Sequence, residues 1–280
     1  MKHKRLIVFL ISLIISPFII EFVLLRGLDP WGANRYYNEI DELIQLYELD
    51  SQRTYRMPIG SFNMGHWQIR MTPQGRDVPA THPSNCHIAM IGDSVTFGHA
   101  VNDEDTFTNQ LARQFPGVYF TNQGVDGYNI VQVWNTLQMT PADGYVYLVI
   151  SNDADPISDV AQLKHKNLPF WQATWRYVYH WSKTYPLSHV ARASEPVDYP
   201  DWFWQTLTRF NQRSDVLMVG FPDTVLIKTI LQSGYSLQSI DRYTHRISFA
   251  DAHPDAVGHS QIAQSIAPFI PDLVARVCGG

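Results

Sequence analysis

His87-Ile88-Ala89-Met90-Ile91-Gly92-Asp93-Ser94 decides how this chain is read. A short apolar run closed by a glycine turn signal is the pattern of a strand buried on both faces, as in a parallel sheet. Open α/β sheets hold their ligands at the carboxyl ends of such strands, so the hydroxyl of Ser94 is placed where a nucleophile belongs. A serine alone is a poor nucleophile. It needs a base to take its proton and donors to hold the oxyanion. The pattern Gly-x-Ser-x-Gly is absent around Ser94, which argues against the nucleophile elbow of α/β-hydrolase lipases.

Three further segments supply groups of both kinds. Val118-Tyr119-Phe120-Thr121 reads as a strand and leads into Asn122-Gln123-Gly124-Val125-Asp126-Gly127; the run from Tyr145 to Ile150 leads into Ser151-Asn152-Asp153; and Asp251-Ala252-His253-Pro254 precedes a helix-like stretch. Singly, each has a bland reading: Gly-Asp-Ser as a turn, Asn-Asp as a helix cap, His-Pro as a surface loop. In this order, and mostly after strand-like runs, they make a hydrolase site. Strand-like runs near 87–92, 117–122, 144–150 and 214–221 alternate with helical stretches near 104–115, 129–138, 202–213 and 223–233. That alternation predicts right-handed βαβ units and a parallel sheet. A last helix is expected from about Ala256, broken or kinked by Pro268.

Over roughly residues 80–270 these segments resemble the four motif blocks of the SGNH, or GDSL-type, hydrolase family. The resemblance implies an α/β fold, three-layer α/β/α around a parallel sheet and flavodoxin-like, and an ester hydrolase working through an acyl-enzyme at a shallow, open site. It gives Ser94 as nucleophile and His253 as base. The oxyanion donors it implies are the N–H groups of Ser94 and Gly127 and the side-chain amide of Asn152. Gly258-His259 resembles the family's run into its final helix. Two positions depart from the pattern: Ile150 stands where a glycine is usual, and Ala250 where the family most often has its acid, three residues before the histidine. Asp251, two residues before His253, is the candidate acid. A main-chain carbonyl or a water is the alternative orienting group, which would leave a Ser-His dyad.

The N-terminus reads as a membrane segment. Lys2, Lys4 and Arg5 precede Leu6 to Leu25, apolar except for Ser12, Ser16, Pro17 and Glu21. About twenty such residues span a bilayer core, and the flanking positive charge keeps the N-terminus in the cytoplasm. No small-residue cleavage pattern follows, so residues 1–26 are expected to form an uncleaved signal anchor, a single transmembrane helix with the catalytic domain on the extracytoplasmic side. Glu21 is its costly position.

The chain has 280 residues, 45% of them apolar, and a formal net charge of −5. That suits one α/β domain, placed at 81–280, after a lead-in at 27–80. Within the lead-in, Tyr37 to Leu49 has helical spacing at Ile40, Leu43, Ile44 and Tyr47, and Phe62 to Val78 reads as a hairpin or extended arm. An aromatic-rich insertion at about 155–213 carries Trp171, Trp175, Trp181, Trp202 and Trp204, with Tyr177, Tyr179, Tyr185 and Tyr199. These are read as the core of a helical insertion, with some of them as candidates to rim the Ser94 site. There is no basic run beyond the extreme N-terminus, so no nucleic-acid partner is expected. Phosphate-loop and His-Glu-x-x-His patterns are absent and the histidines are scattered, so neither cofactor nor metal is expected. An extracytoplasmic location permits a disulfide between Cys86 and Cys278, but the sequence reading favours two unbridged thiols.

The functional expectation is an extracytoplasmic serine esterase that hydrolyses or transfers O-acyl groups on envelope polysaccharide or glycolipid. The alternatives are a lipase or lysophospholipase, and a catalytically weak, glycan-binding module of the same fold.

Overall fold

The computed structural model describes residues 12, 15–28, 46–49, 55–64, 66–156, 199–248 and 251–279. The chain divides into two compact units. The larger comprises Leu46–Leu163, Asp198–Ile247 and His253–Gly280, and the smaller Met1–Gln45, Lys164–Val197 and Ser248–Ala252.

The larger unit is built on β1 (Gly60–Met64), β2 (Trp67–Thr72), β3 (Gly75–Arg76), β4 (His87–Ile91), β5 (Tyr119–Asn122), β6 (Gly144–Val149), β7 (Val216–Gly220) and β8 (Gln238–Ser239). They form one sheet in the order β8-β7-β6-β4-β5-β3-β2-β1. From β8 to β5 all pairings are parallel, with β4 lying between β5 and β6. Helices cover both faces. Ile88 and Met90 of β4 and Val146 and Leu148 of β6 share a core with Phe107 and Leu111 of α2 (Phe107–Gln114), Ile262 and Ile266 of α6 (Ala256–Ile266), and Ile270 and Leu273 of α7 (Ile270–Cys278). On the opposite face the Tyr147 ring lies 4.7 Å from Phe210 of α4 (Asp201–Asn211), and Phe210 lies 5.0 Å from Trp134 of α3 (Ile130–Met139). This is the expected three-layer arrangement. A strand buried on both faces can be apolar at consecutive positions, which is why β4 and β6 show no alternation.

Side chains at the helix starts fix the boundaries. Thr106 caps α2, Asn129 caps α3 in a reciprocal box with Gln132, and Asp255 caps α6 through Gly258 N–H. The expected break at Pro268 is present: α6 gives way to a 3₁₀ turn, Ala267–Phe269, before α7. Among the described residues this unit also has α1 (Ser94–Phe97), described below, and α5 (Val225–Gln232).

Two expectations are corrected here. The sheet is mixed, not wholly parallel: residues 60–76 supply the hairpin β1–β2 and the short β3, all antiparallel, joined to the parallel part where Arg76 pairs with Asn122. In β2 the buried Trp67, Ile69 and Met71 alternate with exposed Gln68 and Arg70, as in an antiparallel strand wet on one face. The second correction concerns the cysteines, which form a disulfide with Cα atoms 5.6 Å apart. Cys86 immediately precedes β4, and the last turn of α7 meets the start of neighbouring β6, where a Cβ on Gly144 would touch Val277. The bridge thus staples the final helix to the start of the central strand. Because it closes a long loop, Cys278→Ser is expected to lower unfolding stability by about 2–4 kcal/mol. Urea titration would show it as a lower midpoint, and an unchanged midpoint would contradict it.

Buried His259 ties α6 to α2. Its Nδ1 accepts the Phe107 N–H at 3.2 Å and its ring stacks on Phe107 at 5.9 Å. Burial, helped by Arg76 and His253, pulls the imidazole down to about 3. An unfolded histidine titrates near pH 6.5, so below that the unfolded state takes up a proton the folded state refuses. The stability His259 contributes is therefore complete above pH 6.5 and lost as pH falls toward 3. His259→Gln is expected to flatten the slope of stability between pH 7 and 5 by up to about 1.4 kcal/mol per pH unit. Urea midpoints at pH 7, 6 and 5 for both proteins check this, and parallel curves would refute it.

Of the expected membrane segment, residues 6–11, 13 and 14 lie outside the described residues. Ile19–Leu28 winds as a π-helix, and the buried Glu21 carboxylate accepts from Arg26 Nε at 3.0 Å, five residues on, as that winding allows. Among the described residues no helix is long and apolar enough to cross a membrane. Most of the helix expected at Tyr37–Leu49 also lies outside the described residues, while its last residues, Glu48–Leu49, are extended and pair antiparallel with Tyr55–Arg56. In the aromatic insertion, Trp171, Trp175, Trp181, Tyr177, Tyr179 and Tyr185 lie outside the described residues. Trp202 and Trp204 are on α4, where Trp204 stacks on Tyr235 at 5.8 Å.

Candidate active site

The segment expected to carry the nucleophile begins where β4 ends. Gly92 has φ +154, and a Cβ there would collide with the Thr96 hydroxyl, so the turn into α1 needs glycine. Asp93 caps α1 by accepting the Val95 N–H at 3.0 Å. One turn later the helix stops at Gly98. Ser94 is buried at the head of this turn, and its Oγ lies 2.8 Å from His253 Nε2 and 3.0 Å from Asp93 Oδ2. The hydroxyl has one proton and two acceptors. With the imidazole neutral and protonated at Nδ1, Nε2 is free to accept it.

Asp93 stands in the sequence pattern without a role of its own. Its fully buried carboxylate accepts from Val95 N, from Ser94 Oγ, and from Asn152 Nδ2 at 3.1 Å. Burial pushes the carboxyl up, while the hydrogen bond from Asn152, then that from Val95, work against the rise. One carboxylate therefore ties the third segment to the first. Its signal in the sequence was its place as the cap of a one-turn helix.

Asn152 is presented by a 3₁₀ turn, Ser151–Ala154, that follows β6. Asp153 shapes the turn from inside: its Oδ2 accepts from Tyr147 Oη and from Ile150 N, both at 2.9 Å. Burial, then the nearby Asp93, push its carboxyl well above the usual range. With one Nδ2 proton given to Asp93, the Asn152 amide is fixed in orientation, and its second proton remains as a donor.

The second segment lies directly on α1. Asn122 Nδ2 donates to Thr96 O at 2.8 Å and its Oδ1 accepts from Gly124 N at 3.0 Å. A Cβ on Gly124 would run into the Phe97 backbone, so only glycine permits this approach. The peptide before Gly127 is fixed through its carbonyl: Tyr55 Oη donates to Asp126 O at 3.1 Å. In a trans peptide the N–H points opposite to the C=O, so this bond also sets the direction of the Gly127 N–H.

Arg76 holds the far end of α1. Fully buried, it donates from Nε to Asp103 Oδ1 at 2.7 Å, from Nη1 to the carbonyls of Phe97 and Gly98, and from Nη2 to that of Val101. It thereby satisfies carbonyls that the end of a one-turn helix leaves open. Burial draws the guanidinium down, against the opposing pull of Asp103. Sequence reading gave no hint of this role, because an arginine in an arm reads as surface.

His253 is held by its main chain, with Ile247 N–H donated to His253 O at 3.0 Å and an isolated bridge between Arg246 and Pro254. Asp251 belongs to the smaller unit. It is buried in a turn in which its N–H meets Ser248 Oγ at 3.0 Å and its carbonyl accepts from Ser248 N at 3.2 Å. Ala250 lies outside the described residues. The larger unit thus brings Ser94 and His253 within hydrogen-bond reach, links Asn152 to Ser94 through Asp93, and lays the Gly127 segment against α1.

No protein-family model matches the chain, and no curated protein matches it. Among solved structures, the chain is similar to a carbohydrate acetylesterase family member from Sinorhizobium meliloti, at 14% identity over 68% of this chain and 99% of that one, with a TM-score of 0.38. It is similar to a family two carbohydrate esterase from Cellvibrio japonicus at 15% identity over 71% of this chain and 64% of that one, TM-score 0.38. A member of the lipolytic protein G-D-S-L family from Veillonella parvula matches at 14% identity over 66% and 98%, TM-score 0.37.

Proposed function

We propose that this chain is a serine ester hydrolase of the SGNH type, with Ser94 as nucleophile and His253 as base. The observation that carries the reading is the 2.8 Å contact between His253 Nε2 and Ser94 Oγ at the carboxyl end of the central strand. His253 takes the Ser94 proton as Oγ attacks an ester carbonyl, then returns it to the leaving alcohol. The oxyanion is held by the N–H groups of Ser94 and Gly127 and by the Asn152 amide proton not engaged by Asp93; each such donor is worth about 100- to 1000-fold in rate. Water then attacks the acyl-enzyme, His253 serving again as base, and Ser94 is regenerated. A sugar hydroxyl in place of water would complete an acyl transfer.

The substrate class we propose is an O-acyl ester on envelope polysaccharide or glycolipid. The support is location: the positively flanked apolar run at 6–25 reads as an anchor that leaves the domain outside the cytoplasm, and the Cys86–Cys278 disulfide suits an oxidising compartment. Labelling of the full-length membrane-bound protein by a fluorophosphonate probe, with Ser94→Ala as control, tests the nucleophile. Acetate released from O-acetylated polysaccharide, compared with fatty acid released from glycerophospholipid, tests the substrate. Equal labelling of Ser94→Ala would remove the serine mechanism. Release of fatty acid alone would make the protein a lipase, and protection of the domain from protease in intact spheroplasts would overturn its location.

A further inference from the structure

A second histidine stands behind the first. His99 is 1% exposed, and its ring centroid lies 4.5 Å from that of His253, with the planes inclined by 34°. The Trp67 ring lies 5.6 Å from the same imidazole, and Asp126 Oδ1 lies 3.5 Å from its Nδ1. The backbone holding the ring is equally constrained. His99 N–H bonds to Ser94 O at 3.0 Å, Arg76 grips the carbonyls of Gly98 and Val101 on either side, and the following Ala100 has φ +57, uncommon for a residue with a Cβ. Asp126, in turn, is the residue whose carbonyl sets the direction of the Gly127 N–H. A single buried ring, carried on the loop after Ser94, therefore meets both the loop of an oxyanion donor and the base.

We propose that His99 is a positioning residue for the reaction: held by Trp67, Asp126 and the Arg76-braced loop, its ring is the platform that keeps His253 aimed at the Ser94 hydroxyl. This rests on the reading of Ser94 and His253 as nucleophile and base. A base works only within hydrogen-bond reach of the proton it takes, and misplacement by about 1 Å can cost a hundredfold in rate. Main-chain contacts at the His253 carbonyl and at Pro254 place its backbone, and the His99 ring bounds one face of its imidazole. Among the described residues of the larger unit, Asp93, His99 and His259 bear on His253, and Asp251 stands two residues before it in the chain. Among the described residues, the His99 ring lies against that of His253 at 4.5 Å.

The test uses the full-length protein, a short-chain aryl ester and the fluorophosphonate probe. His99→Ala is expected to lower kcat by about 10- to 100-fold with KM within about threefold of wild type, and to slow labelling of Ser94 in the same proportion. His99→Phe keeps a ring in the same space and is expected to recover at least about tenfold of the loss. A merely structural residue would move the melting temperature without this separation of kcat from KM or this rescue by a ring. Wild-type kcat in His99→Ala would overturn the proposal, as would a folded His99→Phe no better than alanine. Should His99→Ala fail to fold, the near-isosteric His99→Phe decides alone: near wild-type turnover is expected, and a hundredfold loss overturns the platform. A wild-type protein that neither turns over ester nor takes up the probe would instead overturn the reading of Ser94 itself, so the two failures are distinct.

Discussion

Ser94→Ala and His253→Ala are each expected to reduce turnover of a short-chain aryl ester by about 10⁴- to 10⁶-fold, with the fold intact. The size follows from how the pair divides the work. Without Oγ no acyl-enzyme forms. Without Nε2 the hydroxyl has no base of suitable basicity, because the other group within reach, Asp93, is committed to Val95 and Asn152. Since each residue is useless without the other, the double variant should be no slower than either single one. What survives is the contribution of the oxyanion donors. The fold should tolerate both changes, because removal of Oγ leaves Asp93 two donors and His253 is bound into its loop by main-chain contacts. Steady-state kinetics with thermal melts of the same samples provide the check. A Ser94→Ala rate within tenfold of wild type, in protein free of wild-type contamination, would end the proposed mechanism.

How much of this was legible in the sequence depends on the kind of interaction. The central strands β4 and β6 and the turns after them were readable because burial on both faces writes itself as a continuous apolar run, and the chemistry sits at its end. The antiparallel strands at 60–76 were harder. Their period-two pattern, Trp67-Gln68-Ile69-Arg70-Met71, identifies a strand with one wet face, but it does not tell a free arm from a strand added to the sheet edge. The disulfide was readable only as an allowed pairing of the two cysteines, since whether it forms depends on where the last helix sets its C-terminal turn. Arg76 and Asp93 were missed for a related reason. Each acts by collecting main-chain and side-chain groups from distant segments, and a single sequence carries no record of which carbonyls a fold will gather around a guanidinium. The pairing of His99 with His253 belongs to the same class, with residues 154 positions apart meeting only in three dimensions.

Asp251→Asn is expected to lower kcat by about 10³- to 10⁴-fold, the loss seen when the acid of a Ser-His-Asp arrangement is neutralised. Asp251 is buried and two residues before His253, and a buried carboxylate is costly unless its charge is compensated. The substitution is informative because the main-chain bonds of Asp251 to Ser248 do not involve its carboxylate, so the asparagine leaves those bonds in place while removing the charge and turning one acceptor oxygen into a donor. With Asp251 as the acid, loss of its charge would also make His253 a weaker base, so the acid limb of the kcat/KM profile should move to lower pH while the limiting rate falls. A merely structural aspartate would leave that limb where it was. A fall of less than tenfold with an unmoved acid limb would mean that a main-chain carbonyl or a water orients the ring, and that the site is a dyad. The double variant Asp251→Asn/His99→Ala then reports on independence. If charge and platform act separately on His253, the two losses multiply. If the variant is no worse than Asp251→Asn alone, the ring is already misplaced once the charge is gone, and orientation of the base rests on the carboxylate.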